Sequence, residues 1–140
     1  MNKQVNTKDK TNTQSGTNSL AVIDVQAIVN TSAQVRELKE KQAIKVGELN
    51  VWLRNAQNEV NAEQDRERQQ ALLQKYNAEF NLKRRDLNIK YQEELKVVCD
   101  NITQTVADEA KKKGYSMVIA KSVVVCGGVD ITEEIAKIVK

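Results

Sequence analysis

From residue 33 to residue 113 the chain has no proline, and its one glycine there is Gly47. Proline and glycine are the strongest interrupters of a helix, so so long a stretch without them favours helix over any other regular structure. Glu, Gln, Lys, Arg, Leu and Ala fill much of it, and these are good helix formers. In the first half Val46, Leu49, Leu53, Ala56 and Val60 recur at steps of three and four, the spacing of a heptad seam. The second half carries Leu73, Tyr76 and Phe80, then Leu87, Tyr91, Leu95 and Val98, then Ile102, Val106 and Ala110, with several fours in succession. Between the halves, at residues 61–70 (NAEQDRERQQ), the apolar stripe lapses. A helix-to-helix turn is expected there, and one continuous helix is the alternative, because the segment has no turn-forming glycine or proline. Folded back on itself, the stretch gives two arms of roughly 35 to 40 residues, each about 55 Å long. Two helices pack only one seam, so the arms should be stiff at the base and mobile at the tip.

The flanking segments read differently. Residues 20–25 (LAVIDV) are apolar and partly β-branched, which suits a buried strand. Residues 26–30 fit a turn or a first helical turn, and Thr31 or Ser32 can cap the helix that follows. At the far end Lys111, Lys112 and Lys113 precede Gly114, as the helix dipole and a C-terminal cap favour. Residues 116–119 and 123–126 read as two short strands, followed by a sharp turn at Gly127 and Gly128. Asp130 or Thr132 can cap a last helix, with Glu133 and Glu134 in its first turn and Ile131, Ile135, Ile138 and Val139 on its apolar face. The expected architecture is mainly α: a long antiparallel coiled-coil hairpin, residues 33–113, inserted into a small α/β body made of residues 20–32 and 114–140. Residues 1–19, almost all polar, read as a disordered tail. Three short strands leave edges and an apolar face uncovered, and sharing strands between subunits covers both. Val22, Ile23, Val25, Val118, Ile119, Val124 and Val125 are the residues expected to build that oligomerisation body.

Little in the chain points to catalysis. It has no histidine, the commonest general base and metal ligand. Its carboxylates are scattered over helix positions with no partner nucleophile, so no catalytic residue, metal or cofactor is expected. Cys99 and Cys126 lack the spacing of a zinc or redox site. Cys126 follows three valines and reads as a core residue, and Cys99 lies about 20 Å along the arm from Gly114, too far for a bridge between them. Gly127 and Gly128 are followed by Asp130, Glu133 and Glu134, which occupy the place a phosphate would need. A net charge of +3 and a pI near 8.8 are too mild for a dedicated nucleic-acid binder. No segment is long and apolar enough to span a bilayer, and residues 1–19 do not have the apolar core of a signal peptide. Two features remain open. Lys83, Arg84 and Arg85 form either a solvated face balanced by Glu79 and Asp86, or a patch for acidic clients or anionic membrane surfaces. Trp52, just off the seam, is either packed between the arms or presented to a client.

The segment LAVIDVQAIVN at residues 20–30, the long helical stretch, and KKKGYSMVIAKSVVVCGGVDITEEIAKIVK at residues 111–140 together resemble the Skp/OmpH family of periplasmic chaperones. The most specific parts are IDVQ, the KKKGY-to-VIA junction and the GGVDIT turn. The resemblance implies a homotrimer with one shared β-body. Its hairpins hang like tentacles and enclose unfolded outer-membrane or exported proteins without ATP. This hairpin is shorter than in the best-known members, which implies a smaller enclosed space. It also implies a periplasmic address, provided an export signal has been removed. On this reading Trp52, Lys83, Arg84 and Arg85 are the client-binding candidates. A structural coiled-coil oligomerisation or spacer protein of the cell envelope is the alternative.

Overall fold

The computed structural model describes residues 19–140. The expected tail lies outside them except for Ser19, which donates to the Gly114 carbonyl at 3.1 Å and accepts from the Ser116 amide at 3.2 Å. Strand β1 (Leu20–Ile23) leads into helix α1 (Val25–Thr31), then α2 (Ala33–Ala62) and α3 (Arg66–Lys112). Strand β2 (Met117–Ala120), a single 3-10 turn (Lys121–Val123), strand β3 (Val129–Asp130) and helix α4 (Thr132–Ala136) complete the chain. The strands form one parallel sheet in the order β2-β1-β3. Parallel neighbours require a long crossover, and between β1 and β2 that crossover is the whole helical segment α1 to α3. Central β1 is covered on both sides by strands and is the most buried of the three, which explains its unbroken apolar run.

The core lies where the sheet meets α1, α4 and the last turns of α3. Ile28, Val35, Ile131 and Ile135 are almost wholly buried there, beside Ile102, Val106 and Ala110 of α3. Ser32 is the hinge between α1 and α2 and is fully buried. Its hydroxyl accepts from the Val35 amide at 3.2 Å, capping α2, and donates to the Lys140 carbonyl at 2.7 Å. Lys113 closes the end of α3 against Glu134 of α4 and lies 3.8 Å from Glu109.

Several expectations need correction. Val25 belongs to α1, because the Asp24 carboxylate accepts from the Ala27 amide at 3.0 Å and so starts a helix where the strand was expected to continue. Residues 123–126 are not a strand; the third strand forms only after the glycine pair. Gly128 has φ +83°, and a Cβ there would lie 2.9 Å from Val22 Cγ1, so the chain can come beside β1 only where that side chain is missing. The loop before it stays outside, with Val125 fully exposed and Cys126 exposed instead of in the core. Both cysteines are free thiols. The last helix ends at Ala136, short of Ile138 and Val139.

Helices α2 and α3 pack with their contacts in antiparallel order: Lys41 meets Glu94, Trp52 meets Tyr76 and Lys83, and the Val60 carbonyl meets Gln69. The helices are unequal, 30 and 47 residues long, because α1 is a separate helix and the end of α3 enters the core. Their turn, residues 63–65, is closed without glycine or proline. Asp65 accepts from the Arg68 amide at 3.0 Å, Glu63 accepts from the Asp65 amide at 3.0 Å, and the Gln69 side chain donates to the Val60 carbonyl at 3.0 Å. Leu49 lies in the seam half-buried, while Val46 and Leu53 are 41% and 36% exposed. Leu73 was expected in the seam but is exposed, and Leu72 beside it is half-buried. From Tyr76 either residue is one helical turn away, and the phase set by the 63–65 turn favours Leu72.

Candidate functional site

The long surfaces of the α2–α3 pair are the only extended part of the described chain not committed to the core. Burial along it is incomplete. Ile44, Val51, Leu82, Ile89 and Val97 are all exposed on the two helices. Isolated exposed hydrophobes are ordinary, but a pair of narrow helices showing this many has more apolar surface than its seam can use.

Grooves run along both flanks of the seam. The first is lined on α2 by Lys41, Lys45, Glu48 and Trp52, and on α3 by Lys83, Asp86, Lys90 and Glu94. Both signs of charge line it, and four of the charges are paired: Lys41 bridges to Glu94 at 2.9 Å and Lys45 to Glu48 at 3.2 Å. These pairs are solvent-exposed, so they fix side-chain positions more than they add stability. Trp52 is half-buried here. Its ring meets Tyr76 edge-on, with centroids 5.8 Å apart, and the Lys83 ammonium lies 5.3 Å from the Trp52 ring. The Tyr76 hydroxyl donates to Glu59. That hydrogen bond, helped by burial and by the charges of Glu59 and Glu79, raises the Tyr76 pKa above its ordinary value.

The opposite flank carries two grooves in succession. One is lined by Val46 and Asn50 of α2 and by Asn81, Leu82, Arg84 and Arg85 of α3. The next, nearer the turn, is lined by Leu53, Gln57 and Asn61 with Arg66, Leu73 and Asn77.

The four residues singled out from sequence are therefore divided. Trp52 and Lys83 come together on one flank, and Arg84 and Arg85 lie on the other, because successive helix residues turn by about 100°. Asp86 falls on the Lys83 side, so it balances that lysine and not the arginines. The sequence reading missed the amide side chains and Arg66. Their signal was present, since Arg66, Gln70, Leu73, Asn77, Asn81, Arg84 and Asn88 are spaced by threes and fours like an apolar stripe. Looking only for apolar periodicity hides it.

Of the expected oligomerisation residues, Val22 and Ile23 are buried within the chain, Val118, Ile119 and Val124 are half-buried, and Val25 and Val125 are exposed. Among the described residues no group of three His, Cys, Asp or Glu side chains is placed to hold a metal ion, and no helix is long and apolar enough to cross a membrane.

A family model described as outer membrane protein (OmpH-like) matches residues 19–139. No curated protein matches the chain.

Proposed function

The chain belongs to the OmpH-like family, and from that premise we propose that it is an ATP-independent holdase that keeps unfolded outer-membrane or exported proteins from aggregating. The family is one of periplasmic chaperones, and a periplasmic address for this chain is part of the proposal. The observation that carries the reading is the apolar surface left along α2 and α3, with Arg84 and Arg85 beside it and no acid lining that groove. A holdase needs such a surface; a spacer in the cell envelope needs only a stable seam, which would hide Val46, Leu53 and Leu73.

In the proposed architecture, residues 20–32 and 114–140 form the body of a homotrimer, and residues 33–113 form a coiled-coil arm of each subunit. Three arms would surround one client. Arg84 and Arg85 would attract acidic segments at long range, an effect that salt screens over about 8 Å at physiological ionic strength. Trp52, packed against both Lys83 and Tyr76, would hold the arm in shape.

The test is an aggregation assay. A urea-unfolded outer-membrane β-barrel is diluted into buffer without nucleotide, with and without a threefold molar excess of the chain. Light scattering should stay near baseline with the chain present. Scattering that rises equally fast in both samples would sink the holdase reading.

A further inference from the structure

The two flanks of the α2–α3 pair differ in kind. One carries carboxylates, lysines and ion pairs. The grooves of the other are lined by no carboxylate, although α2 and α3 are rich in Glu and Asp. Arg66, Arg84 and Arg85 on this flank are exposed, and among the described residues none of them forms an ion pair. Asn50 and Gln57 on α2 face Gln70, Asn77 and Asn81 on α3, and all five are exposed. Between the amides lie Val46, Leu53, Leu73 and Leu82, from 36% to 51% exposed.

We propose that this acid-free flank is the client-binding face, and that its occupant is an acidic unfolded polypeptide held in extended form. The proposal rests on the holdase reading and deepens it. An unfolded chain presents an unpaired N–H and C=O at almost every residue. A carboxamide offers two donors and an acceptor, so a row of them can bond such a chain whatever its sequence. The exposed leucines and valine take the client's apolar side chains. The unpaired arginines take its carboxylates, which guanidinium binds through two parallel hydrogen bonds. The dimensions agree: the row from Arg66 to Asn88 is about 33 Å long at 1.5 Å per residue, the length of roughly ten residues of extended chain. The other flank is a poorer host, since Lys41 and Lys45 already have partners and its carboxylates repel an acidic client.

Two variants with the same change in net charge separate placement from bulk charge. Asn50→Asp/Asn77→Asp/Asn81→Asp puts three carboxylates on the proposed face. Lys41→Gln/Lys45→Gln/Lys90→Gln removes three charges from the other. The probe is reduced, carboxymethylated α-lactalbumin, an acidic protein that stays unfolded, carrying a fluorophore and followed by anisotropy in low salt. The first variant should bind it at least about tenfold more weakly, and the second should stay within about twofold of the parent. Equal losses would overturn the assignment of the face while leaving the holdase reading standing. Failure of the parent chain to bind the probe would overturn the acidic-client proposal, while the holdase reading stands or falls on the barrel-aggregation assay. A photocrosslinking residue in place of Asn81 should capture the probe and one in place of Lys90 should not, a result independent of the charge variants. The reverse pattern would place the client on the opposite flank and overturn the proposal.

Discussion

Asp130 ties together three elements through four hydrogen bonds that centre on its carboxylate and on Thr132. It accepts from the Thr132 amide at 3.0 Å, from the Thr132 hydroxyl at 2.5 Å and from the Lys121 ammonium at 2.9 Å, while the Asp24 amide donates to the Thr132 hydroxyl at 2.8 Å. These bonds, the hydroxyl of Thr132 first, hold the Asp130 carboxyl well below the usual carboxylate range. A group whose folded pKa is depressed stabilises the fold above its unfolded pKa, about 3.9 for aspartate, and loses that contribution as pH falls further. Lys121, whose pKa the same hydrogen bond raises, behaves in the opposite sense: its contribution is fully present at neutral and acid pH and is lost only as pH rises through the lysine range. Asp130→Asn should therefore lower the melting temperature at pH 7, and the gap from the parent should narrow steadily below about pH 4. A gap of constant size from pH 7 to pH 2, measured by thermal circular dichroism, would remove ionisation from the explanation. Sequence made Asp130 and Thr132 legible as alternative caps of the last helix. The N-cap is instead Ile131, with no side-chain bond, and the two residues serve to tie the start of α4 to Asp24 and Lys121 through a sheet register that no local pattern encodes. The glycine pair is a similar case. Its positive φ was readable from residue type, but the strand it admits was misplaced, because β-branched Val123, Val124 and Val125 outweigh Val129 and Asp130 on propensity alone.

At the level of elements, the absence of helix breakers and the lapse at residues 61–70 were enough to place two long helices and the turn between them. The turn itself was not readable, since Asp65, Glu63 and Gln69 close it with side-chain bonds in place of the usual glycine. Seam phase was also only partly readable: Leu72 and Leu73 are adjacent leucines, and sequence cannot choose between them. The packing along the pair has a consequence for its motion. Val35 and Leu38 are buried at the base and Ala56 and Val60 near the turn, but no residue between 39 and 55 is buried. A simple gradient from stiff base to mobile tip does not describe this pattern; the least packed part is the middle. Local opening costs least where few apolar contacts must be broken. Hydrogen exchange followed by mass spectrometry should find amides in 41–53 and 79–91 exchanging about tenfold faster than those in 54–60 and 100–110. Protection that falls steadily toward the turn would show that the short packed patch at Ala56 and Val60 does not hold the tip.

The whole molecule has one end that a lone chain leaves unfinished. Both outer strands, β2 and β3, have an unpaired edge. Around them Met117, Val129 and Val25 are about half exposed, Val123 is 72% exposed and Val125 fully so. Sheet edges and contiguous apolar surface of this kind are usually covered, and a second copy of the same chain brings both the missing strand partners and a matching apolar patch. A single narrow pair of helices cannot enclose a client, so the proposed function also calls for more than one copy. Family membership supports three copies; sequence physics reaches assembly but not the number. Light scattering should give a mass about three times the 15.8 kDa of the chain. Val123→Asp/Val125→Asp is the discriminating variant, because neither side chain packs in the chain's own core and the substitution should leave it intact. Two charges buried at each subunit contact, unpaired, cost far more than the contact can return. The variant should run at the monomer mass at micromolar concentration, keep its helical circular-dichroism signal, and lose most of its ability to suppress barrel aggregation. If it stayed trimeric, the shared surface would lie elsewhere on the body. If the parent chain were itself a monomer at micromolar concentration, an enclosing cage would be ruled out and any holding of clients would have to occur on single arms.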